Sequence, residues 1–121
     1  MRGFLKVPGI TGTARHPKHV HWIDVFGFTL DTKRGSGPTA ATFFKFTDVA
    51  SAALFSAAMS GKLFDEVTFE AISTDGEGGV PLLGFRFEDA FVAAMQTGGR
   101  DPDMARPQEQ LTISFKNMVP S

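Results

Sequence analysis

The chain has 121 residues, a formal net charge of −1, no Cys, and Phe 13 times with no Tyr. This length suits one domain over residues 1–121, able to bury about two thirds of its extended surface without covalent staples. The near-neutral charge argues against a general nucleic-acid binder, and the missing thiols exclude disulfides and Cys-based metal sites.

Met1 leads directly into Arg2-Gly3-Phe4-Leu5-Lys6-Val7. There is no long apolar stretch here, so no cleaved secretory signal is expected. No apolar run approaches the roughly 18 residues that span a bilayer, so no membrane insertion is expected. Phe4 to Val7 reads as a short strand stopped by Pro8-Gly9. Residues 10 to 19 read as a loop, punctuated by Gly12 and Pro17.

Val20 to Leu30 reads as the longest early strand. Val20, Trp22, Phe26, Phe28 and Leu30 share one parity and Ile23 and Val25 the other, so both faces are apolar and both are expected to be covered. Gly27 is expected to mark a bulge or a close approach of another backbone. Asp31 to Ala41 is a basic, turn-forming loop, and Thr42 to Phe46 a strand that feeds a helix.

That helix, Thr47 to Gly61, is the only convincing one. Thr47 is the expected N-cap, Asp48 sits at the positive end of the dipole, and Gly61 suits the left-handed residue past the end, with Lys62 beside it. Leu54, Phe55, Ala58 and Met59 form a broad apolar arc. The opposite side carries Val49, Ser56 and Ser60 and no charge, where a surface helix would show Lys or Glu. A helix without a charged face is covered on more than one side, by the core or by a neighbouring subunit.

Asp65 to Ala71 alternates, with Val67, Phe69 and Ala71 inward and Glu66, Thr68 and Glu70 outward on a solvated face. Residues 73 to 81 form a Gly-rich turn. Leu83 to Glu88 alternates again, Asp89-Ala90 breaks the pattern, and Phe91 to Met95 resumes it. This is one bent strand or two strands meeting at a bulge. After a loop over Thr97 to Pro107, Gln110 to Lys116 is the last strand, with Leu111, Ile113 and Phe115 inward. The expected fold is mainly β: an antiparallel β-sandwich or barrel with a single flanking α-helix.

Constellations that carry chemistry are sparse. His16, His19 and His21 lie near Asp24, but His16 falls before Pro17 in a loop, and three solvated or hydrogen-bonded imidazoles are expected rather than a metal centre. Asp101-Pro102-Asp103 and Asp75-Gly76-Glu77 lack the further oxygen ligands of a calcium loop. No dinucleotide fingerprint, phosphate-loop Lys or nucleophile elbow is present, so neither a cofactor nor an enzyme activity is expected.

The order of the pieces resembles the haemolysin-coregulated protein (Hcp) family, the tube protein of type VI secretion systems. The resemblance is carried by Phe4-Leu5-Lys6-Val7-Pro8-Gly9-Ile10 with Gly12, and by His19 with Ile23-Asp24-Val25. It continues in Phe44-Lys45-Phe46-Thr47 through Leu54, in Ser60-Gly61-Lys62 with Val67-Thr68-Phe69, and in Glu109-Gln110-Leu111-Thr112-Ile113-Ser114-Phe115. No one motif is specific; the order and spacing of many weak ones are.

The resemblance implies a homo-oligomer: hexameric rings that stack into a hollow tube holding effector proteins. It also implies sheath and spike components as partners, and a cytoplasmic protein that leaves the cell without a cleaved signal peptide. Val49, Ala53, Ser56 and Ser60 are then the expected helix positions facing a neighbour, and Lys33, Arg34, Gly35, Ser36 and Gly37 the expected ring-stacking loop. Many relatives carry a longer Gly/Ser-rich segment where this chain has only Asp31 to Ala41. A phage-type tail tube, or an effector-binding carrier that forms no long tubes, is the alternative.

Overall fold

The computed structural model describes residues 1–30, 35, 37–74, 79–98 and 106–121. The elements are β1 (Arg2–Lys6), β2 (Ile23–Val25), β3 (Gly27–Leu30), β4 (Ala40–Phe46), α1 (Ser51–Ser60), β5 (Leu63–Ile72), β6 (Pro81–Gly98), β7 (Gln108–Ser114) and β8 (Asn117–Pro120). All strand pairs are antiparallel, in the order β2-β1-β5-β6-β7-β4-β3, with β8 paired to β6 off this path.

The two ends of that order are β2 and β3, and only Phe26 lies between them in the chain. The sheet therefore curls until its end strands meet at one residue, whose N–H donates to Phe44 O at 2.8 Å. This is why Val20 to Leu30 is not one strand covered on both faces. His21 adopts a left-handed φ of 67° that ends any extension from Val20, and Phe26 turns the corner from one end of the sheet to the other. Val20 and Phe26 are exposed as a result. Gly27 is an ordinary ladder residue opposite Phe44. The close backbone approach falls instead at Gly12, where a Cβ would lie 2.3 Å from Trp22 O.

The alternating strands face as their patterns require. Val67, Phe69, Ala71, Leu111, Ile113 and Phe115 are all buried. Rings run through the interior in contact, Phe43 with Phe69 at 5.0 Å and Phe87 with Phe115 at 4.6 Å between centroids. β6 is one bent strand. Asp89, at φ 52°, shifts the inward parity from Phe87 to Ala90 and Val92. A bulge between Val92 and Ala94 shifts the register against β7 again. The last strand ends at Ser114, and β8 follows as a further strand. Its residues, Asn-Met-Val-Pro, are too few and too mixed to alternate.

Candidate subunit-contact face and the buried clamp behind it

The helix begins at Ser51, four residues after the expected cap. Thr47 is not the cap because its hydroxyl donates to Glu109 Oε2 at 3.0 Å. Asp48 serves the helix start instead, its Oδ1 accepting from the N–H of Ala50 at 2.9 Å. At the other end Gly61 is left-handed, at φ 66°, as its position suggests, and its N–H donates to Ala57 O.

Ser51, Leu54 and Ala57 are the buried residues of α1. The buried stripe is rotated from the expected arc: Leu54, at the edge of that arc, is fully buried with Ser51 and Ala57, Phe55 and Ala58 are half-buried, and Met59 is 82% exposed. Val49 is 70% exposed, and Ala53, Ser56 and Ser60 also face outward. Ala53, Ser56 and Ser60 thus lie on the open side of the helix, and Val49 is exposed in the turn that precedes it. Ala53, Ser56 and Ser60 line a groove of about 230 Å³ with Gly9, Ile10 and Phe64. Such a groove accepts apolar and small polar side chains, because only Lys62 among its lining residues carries charge. Of the predicted stacking loop, Lys33, Arg34 and Ser36 lie outside the described residues, while Gly35 and Gly37 are exposed with nothing near their missing Cβ.

Behind the helix lies a polar cluster that sequence reasoning missed. Lys45 on β4 and Glu109 on β7 are directly opposed in the ladder and are 0% and 3% exposed. Lys45 Nζ donates to Glu109 Oε1 at 2.7 Å, to Asp48 Oδ1 at 3.0 Å and to Phe46 O at 2.9 Å. Ser51, the first helical residue, donates its Oγ proton to Glu109 Oε1 at 2.7 Å, and Thr97 donates to Oε2 at 2.8 Å. Arg106 closes the outer side, donating to Thr47 O at 3.0 Å. Burial alone would raise the Glu109 pKa, but the hydrogen bonds from Lys45, Ser51 and Thr97 and the charge of Lys45 outweigh it and hold the carboxyl below its usual range. Among the described residues no buried side-chain N or O lacks a partner.

A signal for this cluster was present. Lys45 shares parity with Ala41 and Phe43, and Glu109 with Leu111 and Ile113, so both charges stood on inward positions of adjacent strands. Opposite charges at two inward positions can face each other only as a pair.

The histidines divide. His19 is 2% exposed, stacked on Phe4 at 4.2 Å with the edge of Trp22 against it. Its Nε2 donates to Glu70 Oε2 at 2.5 Å and its Nδ1 lies 2.8 Å from His16 Nδ1, so one proton is shared between the two rings. Glu70 is therefore not simply part of a solvated strand face; burying an imidazole next to β5 recruited it. His21 stands apart in its turn, and no group of three or more His, Asp or Glu among the described residues converges to hold a metal. His16, His19 and Glu70 form the polar wall of a cavity of about 340 Å³ whose other side is Ile72, Leu82 and Leu83.

The family model of the type VI secretion system effector Hcp matches residues 4–120. The chain belongs to the Hcp family. Hcp1 from Salmonella typhimurium is 26% identical, with a TM-score of 0.87 over 97% of this chain and 82% of that one. A type VI secretion system effector from Yersinia pestis is 25% identical, with a TM-score of 0.84 over 96% of this chain and 85% of that one. Hcp2 from Salmonella typhimurium shares the fold at 24% identity, with a TM-score of 0.82 over 98% and 83% of the two chains. No curated protein matches the chain. No helix among the described residues is long and apolar enough to cross a membrane.

Proposed function

We propose that this Hcp protein is a structural subunit of a type VI secretion inner tube, assembling into hexameric rings that stack and carry effector proteins. The observation that carries the reading is the uncharged surface formed by Ala53, Ser56 and Ser60 on the helix and Val49 in the turn before it, which lies open in the single chain. A face of small and apolar groups gains little from water and packs closely against a protein surface. A head-to-tail contact repeated around a ring would cover it in every copy. On this reading Lys33, Arg34, Gly35, Ser36 and Gly37 contact the next ring, and sheath and spike components are further partners. The protein would be cytoplasmic before firing and outside the cell afterwards, with no catalytic step of its own.

Sedimentation and electron microscopy of the purified protein test this. The expected result is a ring of six 13.1 kDa chains at tens of micromolar. Ser56→Glu should leave the melting temperature within a few degrees and abolish the ring, since it places a charge in the covered face. A strictly monomeric wild type, or a Ser56→Glu ring as stable as the wild-type one, sinks the reading. A monomer that co-purifies with a small protein would favour the carrier instead.

A further inference from the structure

We propose that the buried Lys45–Glu109 pair is the positioning element of the helix's contact face, retained for the placement of α1 and not for the stability of the barrel. The inference rests on the ring reading above and goes beyond it by naming residues that touch no neighbour yet control the contact.

The geometry points to this in three ways. First, α1 is attached to the barrel by a narrow stripe, since Ser51, Leu54 and Ala57 are its only buried residues. With Phe55 and Ala58 only half-buried beside it, this stripe of one Leu, one Ala and one Ser resists rotation of the helix about its axis weakly, because small side chains interdigitate little. Second, the start of the helix has no side-chain cap at Ala50. Its first donors are held by Asp48, and Asp48 in turn is held by Lys45 Nζ at 3.0 Å. Third, Ser51 is tied to Glu109 Oε1 at 2.7 Å, and Glu109 sits on β7, in the wall of the barrel. The first turn is thus fixed at two points to a charged pair rooted in β4 and β7. Val49 lies between those two points of attachment, and Ala53 and Ser56 lie within the next two turns. Rotation or sliding of the first turn would move all three.

An ion pair taken out of water gives little net stability, because the desolvation of both charges offsets their attraction. Its directional hydrogen bonds nevertheless permit one arrangement where an apolar filling would permit several. The cluster holds one cation and two carboxylates, Lys45 against Asp48 and Glu109, with the Arg106 guanidinium outside it on Thr47 O. Replacing Lys45 alone would strand two buried carboxylates, and replacing one carboxylate would leave the other paired with Lys45, so the informative variant neutralises all three.

Lys45→Met/Asp48→Asn/Glu109→Gln keeps similar volumes and an amide at the helix start. The expected result is a wild-type circular dichroism spectrum and a cooperative melt, with ring association weakened by tenfold or more in sedimentation. Ser51→Ala is the milder companion. It keeps both ion pairs, removes the hydroxyl that ties α1 to Glu109, and should weaken association several-fold. Hydrogen exchange at amides 53–60 should rise in both variants. Either variant assembling with the wild-type midpoint overturns the proposal, as does a Ser51→Ala protein whose melting temperature falls while its association does not. A wild type that never assembles would instead defeat the ring reading itself, so the two failures are distinct.

Discussion

Two acid–base contacts on opposite parts of this barrel look alike in outline and differ in one respect. His19 on Glu70 and Lys45 on Glu109 each join a buried basic group to a carboxylate on a strand. The Glu70 side chain is 41% exposed, whereas that of Glu109 is 1% exposed. Water can therefore solvate the Glu70 carboxylate if its contact with His19 is lost, while it cannot reach that of Glu109. The comparison teaches that a charge contact in this fold matters by how dry it is. At the wet end the rings of Phe4 and Trp22 hold His19, and the carboxylate is an accessory. At the dry end the charges themselves hold three segments together.

The sharpest way to break this contrast is Lys45→Met alone. It leaves the Asp48 and Glu109 carboxylates facing each other without a cation, and should destabilise the protein by about 3–5 kcal/mol. A denaturant titration reads this out, and a loss under about 1 kcal/mol would show that the cluster is wetter than its burial implies. Acid is the next largest perturbation. The Glu109 carboxyl is held below its usual range, so its contribution is fully present above the unfolded-state pKa and is lost as pH falls through the lowered folded-state value. Wild-type stability should fall with acidification more steeply than that of Glu109→Gln, which has no such proton to take up. Parallel curves between pH 6 and 3 would exclude this carboxylate as an acid-sensitive group. The smallest effect is expected at the wet end. Glu70→Gln keeps a hydrogen-bonding partner for His19 and should cost about 1 kcal/mol or less. A loss as large as that of Lys45→Met would erase the distinction.

The same contrast explains what could be read from the sequence. The strands with one wet face, such as Leu63–Ile72 and Gln108–Ser114, announced themselves by alternation, and their inward residues are the core. The helix was visible from its missing charges and its Gly61 terminus. Its start was not, because Thr47 and Asp48 have the right chemistry for a cap but are drawn into the clamp, which delays the first turn to Ser51. The strand Val20–Leu30 was misread because continuous apolar character cannot distinguish one doubly covered strand from two short strands serving opposite sheet ends. The open, uncharged helix face followed from an absence, that of Lys and Glu on the helix. The clamp behind it required asking which inward positions carried charge, and the alternation that identified Phe43 and Leu111 as core held the answer at Lys45 and Glu109.

Phe26 has a mechanical consequence. Elsewhere around the barrel, neighbouring strands are joined by ladders of hydrogen bonds, whereas β2 and β3 are joined by the backbone itself. A seam of peptide bonds does not unzip when the wall is sheared. Under load the cylinder should open first at its shortest ladder next to that seam, the three paired positions between β1 and β2, and not at the corner.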